Sequence, residues 1–318
     1  LFHIDDDLRS VSVEDIASEE AEINGDLLEF EIGHNISPDL WEGVELSQRA
    51  YFNIEKHAPK PFRSYLKDYI RPIQNFLALA TGEPITPSNV KGYFVHEGER
   101  YPTDISYQVS FSPESSYIKN PDRLLFRKND IDFEKAIKNW IQHFADNQTL
   151  HNLYFGTRYN EDMFVENNFL SLVIALESYH NDLFPEYRLM KKEEFKELIN
   201  DIFESIPDGA NAKKRIKGLL KSIGNEPSIK DKLKRVFEEY SDSIRSLIEN
   251  EDQILSNARD LRNDIAHGLS SEHDIDEMLG LAGKLQVVIE IILLKEIGLS
   301  FEDITDTMEK NRKFLLND

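Results

Sequence analysis

No cysteine occurs among the 318 residues of this chain. Disulfides, thiolate metal sites and cysteine nucleophiles are therefore excluded, and a reducing cytoplasm is the simplest setting. Long apolar runs are missing too. None reaches the roughly eighteen residues that a membrane span needs, and the richest, LQVVIEIILLKEIGL, is interrupted by Glu290, Lys295 and Glu296. Positive charge is scarce: 37 Lys and Arg stand against 59 Asp and Glu, a net charge of −22. Broad nucleic-acid affinity usually shows as a basic face, so this balance argues against it. There is no glycine-rich phosphate loop, no G-x-S-x-G nucleophile elbow, no internal repeat and no low-complexity run. The first residue is Leu1, not Met, and no signal-like segment follows. The chain is expected to be a piece whose natural N-terminus lies upstream.

What is present is enough apolar material, 40% of residues, for about two domains with real cores. The acid is unevenly spread. Residues 1–60 hold fifteen Asp and Glu against four Lys and Arg, whereas residues 188–235 hold thirteen Lys and Arg against eight Asp and Glu. A local basic surface can thus exist beside an acidic domain, although solubility alone also accounts for the acid.

The pattern predicts an α+β chain whose character changes once. LLEFEI (27–32), VELSQRAYFNIE (44–55), GYFVHEG (92–98) and DISYQVSFS (104–112) read as strands between turn-forming residues. Tyr65, Tyr69, Ile73, Phe76 and Ala80 recur at helical spacing, with a kink expected at Pro72 and a stop at Thr81-Gly82. Residues 113–123 read as a loop. We place a β-rich region at 1–128 and an all-α bundle at 129–318, with short loops suited to antiparallel neighbours.

Within the bundle, apolar stripes predict successive helices. They run through Phe133, Ile137, Trp140, Ile141 and Phe144; through Phe169, Leu172, Val173, Leu176 and Tyr179; and through Phe195, Leu198, Ile199, Ile202 and Phe203. Ile216, Leu219, Leu220 and Ile223 make a short helix ended by Gly224. Leu233, Phe237, Tyr240, Ile244, Leu247 and Ile248 make the next, and Ile254, Ala258, Leu261 and Ile265 another. The last helix, 275–297, is apolar almost all round. A helix of that kind must be buried on every side, which means central placement or a dimer interface.

The most informative segment is Arg262-Asn263-Asp264-Ile265-Ala266-His267-Gly268. A histidine can move protons near neutral pH. An arginine can hold a phosphate bidentately and stabilise the charge that develops on it. All three polar residues fall off the core stripe of their helix. Arg262 and His267 lie about 140° apart on a regular helix, so one helix does not easily aim both at one phosphate. Either the helix ends near Gly268 and frees His267, or two copies of the segment meet across a dimer. A plain helix C-terminus accounts for the same residues, since His and Arg suit the dipole there and Gly268 suits the C′ position.

The segment is similar to the R-[polar]-x3–5-H motif of HEPN ribonucleases. The helix FLSLVIALESYHNDLF (169–184) resembles the entry helix of the HEPN-like domain of ApeA-type phage-defence proteins, and PFRSYLKDYIRPIQNFLALATGEPI (61–85) resembles part of their N-terminal region. The three segments occur in the family's order. The resemblance implies a metal-independent endoribonuclease, without cofactor, that cleaves RNA, with tRNA as an expected target, in abortive anti-phage defence. In that reading His267 is acid or base, Arg262 stabilises the phosphorane, and Asn263 orients His267 or the phosphate. The implied partners are RNA, a second copy through the helical domain and a phage-derived trigger, with no membrane. A non-catalytic binding or dimerisation module of the same fold is the alternative.

Other charged groups are weaker candidates. Arg259 could add a phosphate contact, and Lys213, Lys214 and Arg215, with Lys217 and Lys221, form a basic stretch that could bind RNA; solvated helix faces explain them as well. Glu177-x-x-His180 resembles half of a carboxylate-bridged di-metal site. No second copy lies in the predicted helices, so no metal is expected there.

Overall fold

A computed structural model describes residues 2–4, 11–13, 17–39, 43–55, 58, 60–107, 124–160, 162–206, 213–268 and 274–316. Strands occupy the N-terminal part and helices the C-terminal part, as the patterning predicts. The chain divides into two compact units, one of residues 1–145 with 293–300 and one of residues 146–292 with 301–318.

The first unit contains three small antiparallel sheets among the described residues. Strand β1 (Phe2–Ile4) pairs with β2 (Val11–Val13). Strand β3 (Glu19–Ile23) pairs with β4 (Asp26–Asp39), which pairs in turn with β5 (Gly43–Glu55). Asn24 and Gly25 both take positive φ, 54° and 82°, and so make the two-residue turn between β3 and β4. Ala21, Ile23 and Leu28 are buried on one face. Phe30 pairs across the ladder with Phe52 and stacks on Phe133.

Helix α1 (Phe62–Tyr65) leads through a wide π turn (Leu66–Ile70) into α2 (Arg71–Thr81). The expected break at Pro72 takes this form. A proline ring collides with the carbonyl four residues earlier and offers no N–H, and widening the preceding turn relieves both problems. The Pro72 carbonyl accepts a hydrogen bond from Trp140 Nε1 at 2.7 Å. Gly82 (φ 67°) ends α2. The Tyr69 hydroxyl donates to Asp26 Oδ2 at 2.6 Å, which satisfies a buried carboxylate at the start of β4. Helix α3 (Phe133–Asp146) buries all five residues of its predicted stripe.

The hairpin of this unit differs from expectation. Strand β6 (Lys91–His96) turns at Glu97-Gly98, where both φ values are positive, and pairs with β7 (Glu99–Asp104). The turn falls inside the stretch read as one strand, so the partner begins at Glu99 and not at Asp104. Of the strand expected at 104–112, only Asp104 is in a strand and residues 105–107 are not; residues 108–112 and the expected loop at 113–123 lie outside the described residues.

In the second unit, α4 (Gln148–Arg158) packs on α5 (Val165–Leu183). Helix α6 (Lys192–Ser205) packs on α7 (Lys213–Ile223), and α8 (Ile229–Glu239) contacts α5, α9 (Ser241–Leu247) and α10 (Glu251–Ala266). Helices α11 (Ile275–Glu296) and α12 (Phe301–Leu316) complete the chain. The α5 stripe from Phe169 to Tyr179 is buried throughout. The α6 stripe is thinner: Ile199 and Phe203 are buried, whereas Leu198 is exposed. The run from Leu233 to Ile248 forms two helices, broken at Tyr240 (φ −110°, ψ 24°), whose hydroxyl lies 2.5 Å from that of Tyr179.

Helix α11 is not the last, because α12 follows it and buries Ile304, Met308, Asn311 and Arg312. Every residue from Val287 to Leu294 is fully buried within a single copy of the chain. Central placement therefore accounts for that all-round apolar run, whereas Ile275 and Leu279 at the start of α11 are exposed. Glu290, the one charge in that run, accepts from Arg312 Nε at 2.7 Å, from the Tyr154 hydroxyl at 2.8 Å and from Gln286 Nε2 at 2.9 Å.

Candidate functional site

The candidate segment is the end of α10. Acidic Glu251 and Asp252 occupy the first turn, where they suit the dipole. Ile254, Leu255, Ala258 and Leu261 form the buried face. The helix stops at Ala266. His267 is its C-cap residue (φ −93°, ψ 1°), and Gly268 follows in the left-handed region at φ 70°. The backbone N–H of His267 donates to the Asn263 carbonyl at 3.0 Å, and that of Gly268 to the Ile265 carbonyl at 3.1 Å. These bonds satisfy carbonyls that the helix end would otherwise leave open.

This termination removes the constraint of a regular helix on His267. Its side chain is exposed and makes no hydrogen bond among the described residues. Arg262 and Asn263 differ from the expectation of a solvent-facing pair. Both are half-buried, and Arg262 Nη1 lies 3.5 Å from Asn263 Oδ1, a long contact between neighbours. A guanidinium, a carboxamide and an imidazole thus follow one another along the last turn and cap of a single helix.

The charges around them are uneven. A shallow cleft beside the helix is lined by Asp260, Asp264, Asp274 and Glu277, with Asn257 and Leu261. Asp260 and Asp264 each lie two residues from Arg262, about 160° round the helix from it. Four carboxylates make that side of the helix unfavourable to a phosphate.

The weaker candidates fare differently. Arg259 Nε and Nη2 form a fork with both oxygens of Asp260, at 2.8 and 2.9 Å. That pairing holds the Arg259 guanidinium above its ordinary value and the Asp260 carboxyl below its own. Its cation is engaged on the acidic side of the helix. Arg215 is exposed on α7, whereas the side chains of Lys213 and Lys214 lie outside the described residues. The Glu177 carboxylate is taken by Lys232 Nζ at 2.9 Å, and no group of three or more metal-ligating side chains forms among the described residues. Sequence reasoning missed Lys232, because a lysine beside the Leu233 stripe reads as a solvated charge; here it is buried. No helix among the described residues is long and apolar enough to cross a membrane.

Two family models match the chain. Apea-like HEPN matches residues 170–303, which include all of α10 and its cap. ApeA N-terminal domain 1 matches residues 3–140. No curated protein and no solved structure matches.

Proposed function

Because this chain belongs to the ApeA-type HEPN proteins, we propose that it is a metal-independent endoribonuclease with Arg262, Asn263 and His267 as its catalytic residues. The observation that carries this reading is the helix end. Gly268 stops α10 one residue after His267, so the imidazole stands free just past the turn that holds Arg262 and Asn263.

In this mechanism His267 draws the proton from a ribose 2′-OH, whose oxygen attacks the adjacent phosphorus. The bond to the 5′-oxygen breaks, and that oxygen receives a proton from an imidazolium. Arg262 stabilises the extra negative charge of the pentacoordinate phosphorane. Asn263 orients Arg262 through its side-chain oxygen. The products are a 2′,3′-cyclic phosphate and a 5′-OH, and DNA is refused because it lacks the nucleophile. A second copy of the chain, joined through the helical part, supplies a second Arg262 and His267 to one cleft. Residues 129–318 form the nuclease part. Residues 1–128 sense a phage-derived trigger, and tRNA cleavage then halts the infected host. Arg215 and the neighbouring lysines of α7 add phosphate contacts, and the protein works in the cytoplasm.

A second reading is a HEPN-like binding or dimerisation module without catalysis. The half-burial of Arg262 favours it. Incubation of the purified chain and its His267→Ala variant with total RNA and tRNA, in chelator, separates the two. Cyclic-phosphate ends made by the parent alone support the nuclease; equal cleavage by both, or none by either, supports the module.

A further inference from the structure

Helix α7 and the cleft beside α10 are opposite in charge, and each carries apolar groups between its charged ones. In α7 (KKRIKGLLKSI) five residues are Lys or Arg and none is Asp or Glu. Ile216 and Leu219 are exposed, at 36% and 51%. Three residues apart on a helix, they share one face. Arg215 and Lys217, both exposed, flank Ile216 at about 100° on either side. Lys217 Nζ sits 4.9 Å over the Phe203 ring, a neutral partner. No carboxylate pairs with Arg215 among the described residues. Within one copy α7 packs on α6, and that contact leaves Ile216 and Leu219 uncovered.

The cleft presents the complement. Leu261, Met278 and Leu281 give it an apolar floor, beside the carboxylates already named. Asp260 is matched by Arg259, with Lys230 also near. Asp274 and Glu277 are exposed and meet only neutral donors. Asp274 accepts from the Asp276 backbone N–H at 2.9 Å, and Glu277 from Asn257 Nδ2 at 3.3 Å. No cation pairs with either among the described residues. These two negative charges therefore stand in excess at the edge of an apolar floor, and Arg215 and Lys217 stand in excess beside Ile216 and Leu219. An apolar centre within a charged rim is the usual build of a protein interface.

We propose that α7 of one copy docks in this cleft of a second copy, with Ile216 and Leu219 over the floor and Arg215 and Lys217 on Asp274 and Glu277. Each copy carries both halves, so two such contacts close a twofold pair. This contact is the pairing that the nuclease reading invokes, and it rests on that reading. Asp264 lines the cleft and lies two residues from Arg262 and three from His267. Docking thus covers carboxylates that oppose a phosphate beside the candidate site. It also carries the remaining basic residues of α7 to the partner's site, so the phosphate contacts of that helix are made in trans.

Sedimentation velocity on the full chain without RNA, across a wide range of concentration, tests this. Arg215→Glu with Lys217→Glu gives a chain whose α7 opposes its own cleft. Glu277→Lys with Asp274→Asn does the same from the cleft, and Asn keeps the acceptor that Asp276 N–H uses. All four residues are exposed, so both chains should fold. The parent should pair, and each variant alone should pair at least about tenfold more weakly. An equimolar mixture of the two variants should recover pairing, because each α7 then meets a cleft of opposite charge. Variants that pair as tightly as the parent, a mixture that stays as weak as its components, or a parent monomeric at every concentration overturns the proposal. Unchanged pairing with weaker RNA binding by the α7 variant also overturns it and leaves that helix to RNA. Mass is read here without substrate, so a parent that pairs in this way yet cuts no RNA overturns the nuclease reading alone.

Discussion

Arg312 and Glu290 form an ion pair with no access to solvent, Nε to Oε2 at 2.7 Å, in the middle of the most apolar helix of the chain. Burial alone would push the Glu290 carboxyl up. The Arg312 guanidinium, together with Arg158 and the Gln286 amide, outweighs it and holds the carboxyl below its ordinary value of 4.5.

Removing one partner of a buried pair typically costs about 3–5 kcal/mol. Arg312→Met should therefore destabilise the fold by about that much, measured by urea denaturation at pH 7. The same change reverses the pH dependence at Glu290. In the parent a depressed carboxyl stabilises the fold above pH 4.5 and loses that contribution as pH falls. In Arg312→Met the carboxyl is raised by burial, so its penalty shrinks as pH falls from 8 to 5. The double variant with Glu290→Met should recover part of the loss, because two apolar groups replace a stranded charge.

His180 predicts a second pH effect. Its folded-state value is lowered, so the unfolded chain binds the proton first. The fold should lose stability as pH falls through the ordinary histidine value of 6.5, and His180→Gln should flatten that limb of the profile. Thermal melts between pH 5.5 and 8 decide it; a slope equally steep in the variant would locate the titration elsewhere.

Catalysis and stability should separate at the end of α10. His267→Ala removes an exposed side chain, and its melting temperature should barely move, within about 0.5 kcal/mol. RNA cleavage by the same variant should fall about 10²–10⁴-fold, the worth of a general acid or base. Arg262→Ala should lose cleavage as well and cost somewhat more stability, because Arg262 is half-buried. Asn263→Ala should be milder, since it exchanges no proton.

Gly268 is the one place in the site where backbone geometry dictates the residue. Nothing lies within 4 Å of a Cβ built there, so space is not the obstacle, but φ is 70°. Gly268→Ala should cost about 1 kcal/mol, and Gly268→Asn less. Both should disturb cleavage more than stability if the cap orients His267; guanidinium melts beside cleavage assays compare the two.

Much of the architecture was legible because its signals are periodic and apolar. The stripes of α3 and α5, the stop of α2 at Gly82 and the end of α10 at Gly268 all read directly. The elements that escaped carry polar groups on their buried faces. Helix α4 buries His151 beside Leu150, Tyr154 and Phe155; α12 buries Asn311 and Arg312 beside Ile304 and Met308. Strand β3, with three glutamates in five residues, reads as a solvated charge run. At the site, the motif residues were visible, but the engagement of Arg259 by Asp260 and of Glu177 by Lys232 was not. Such pairings depend on rotamers and on residues up to 55 positions away, neither of which spacing encodes.

The enclosure of the apolar run Val287 to Leu294 in α11 has a kinetic consequence. A chain that already shelters its most apolar helix has no folding reason to stay in pairs, so copies would meet as finished molecules. A nuclease completed by pairing would then cut at a rate proportional to the square of its concentration when dilute, and to its first power when crowded. Dilution alone would silence it, and anything that gathers a few copies together would switch it on. Specific activity plotted against protein concentration, beside mass measurement across the same range, would expose that curvature.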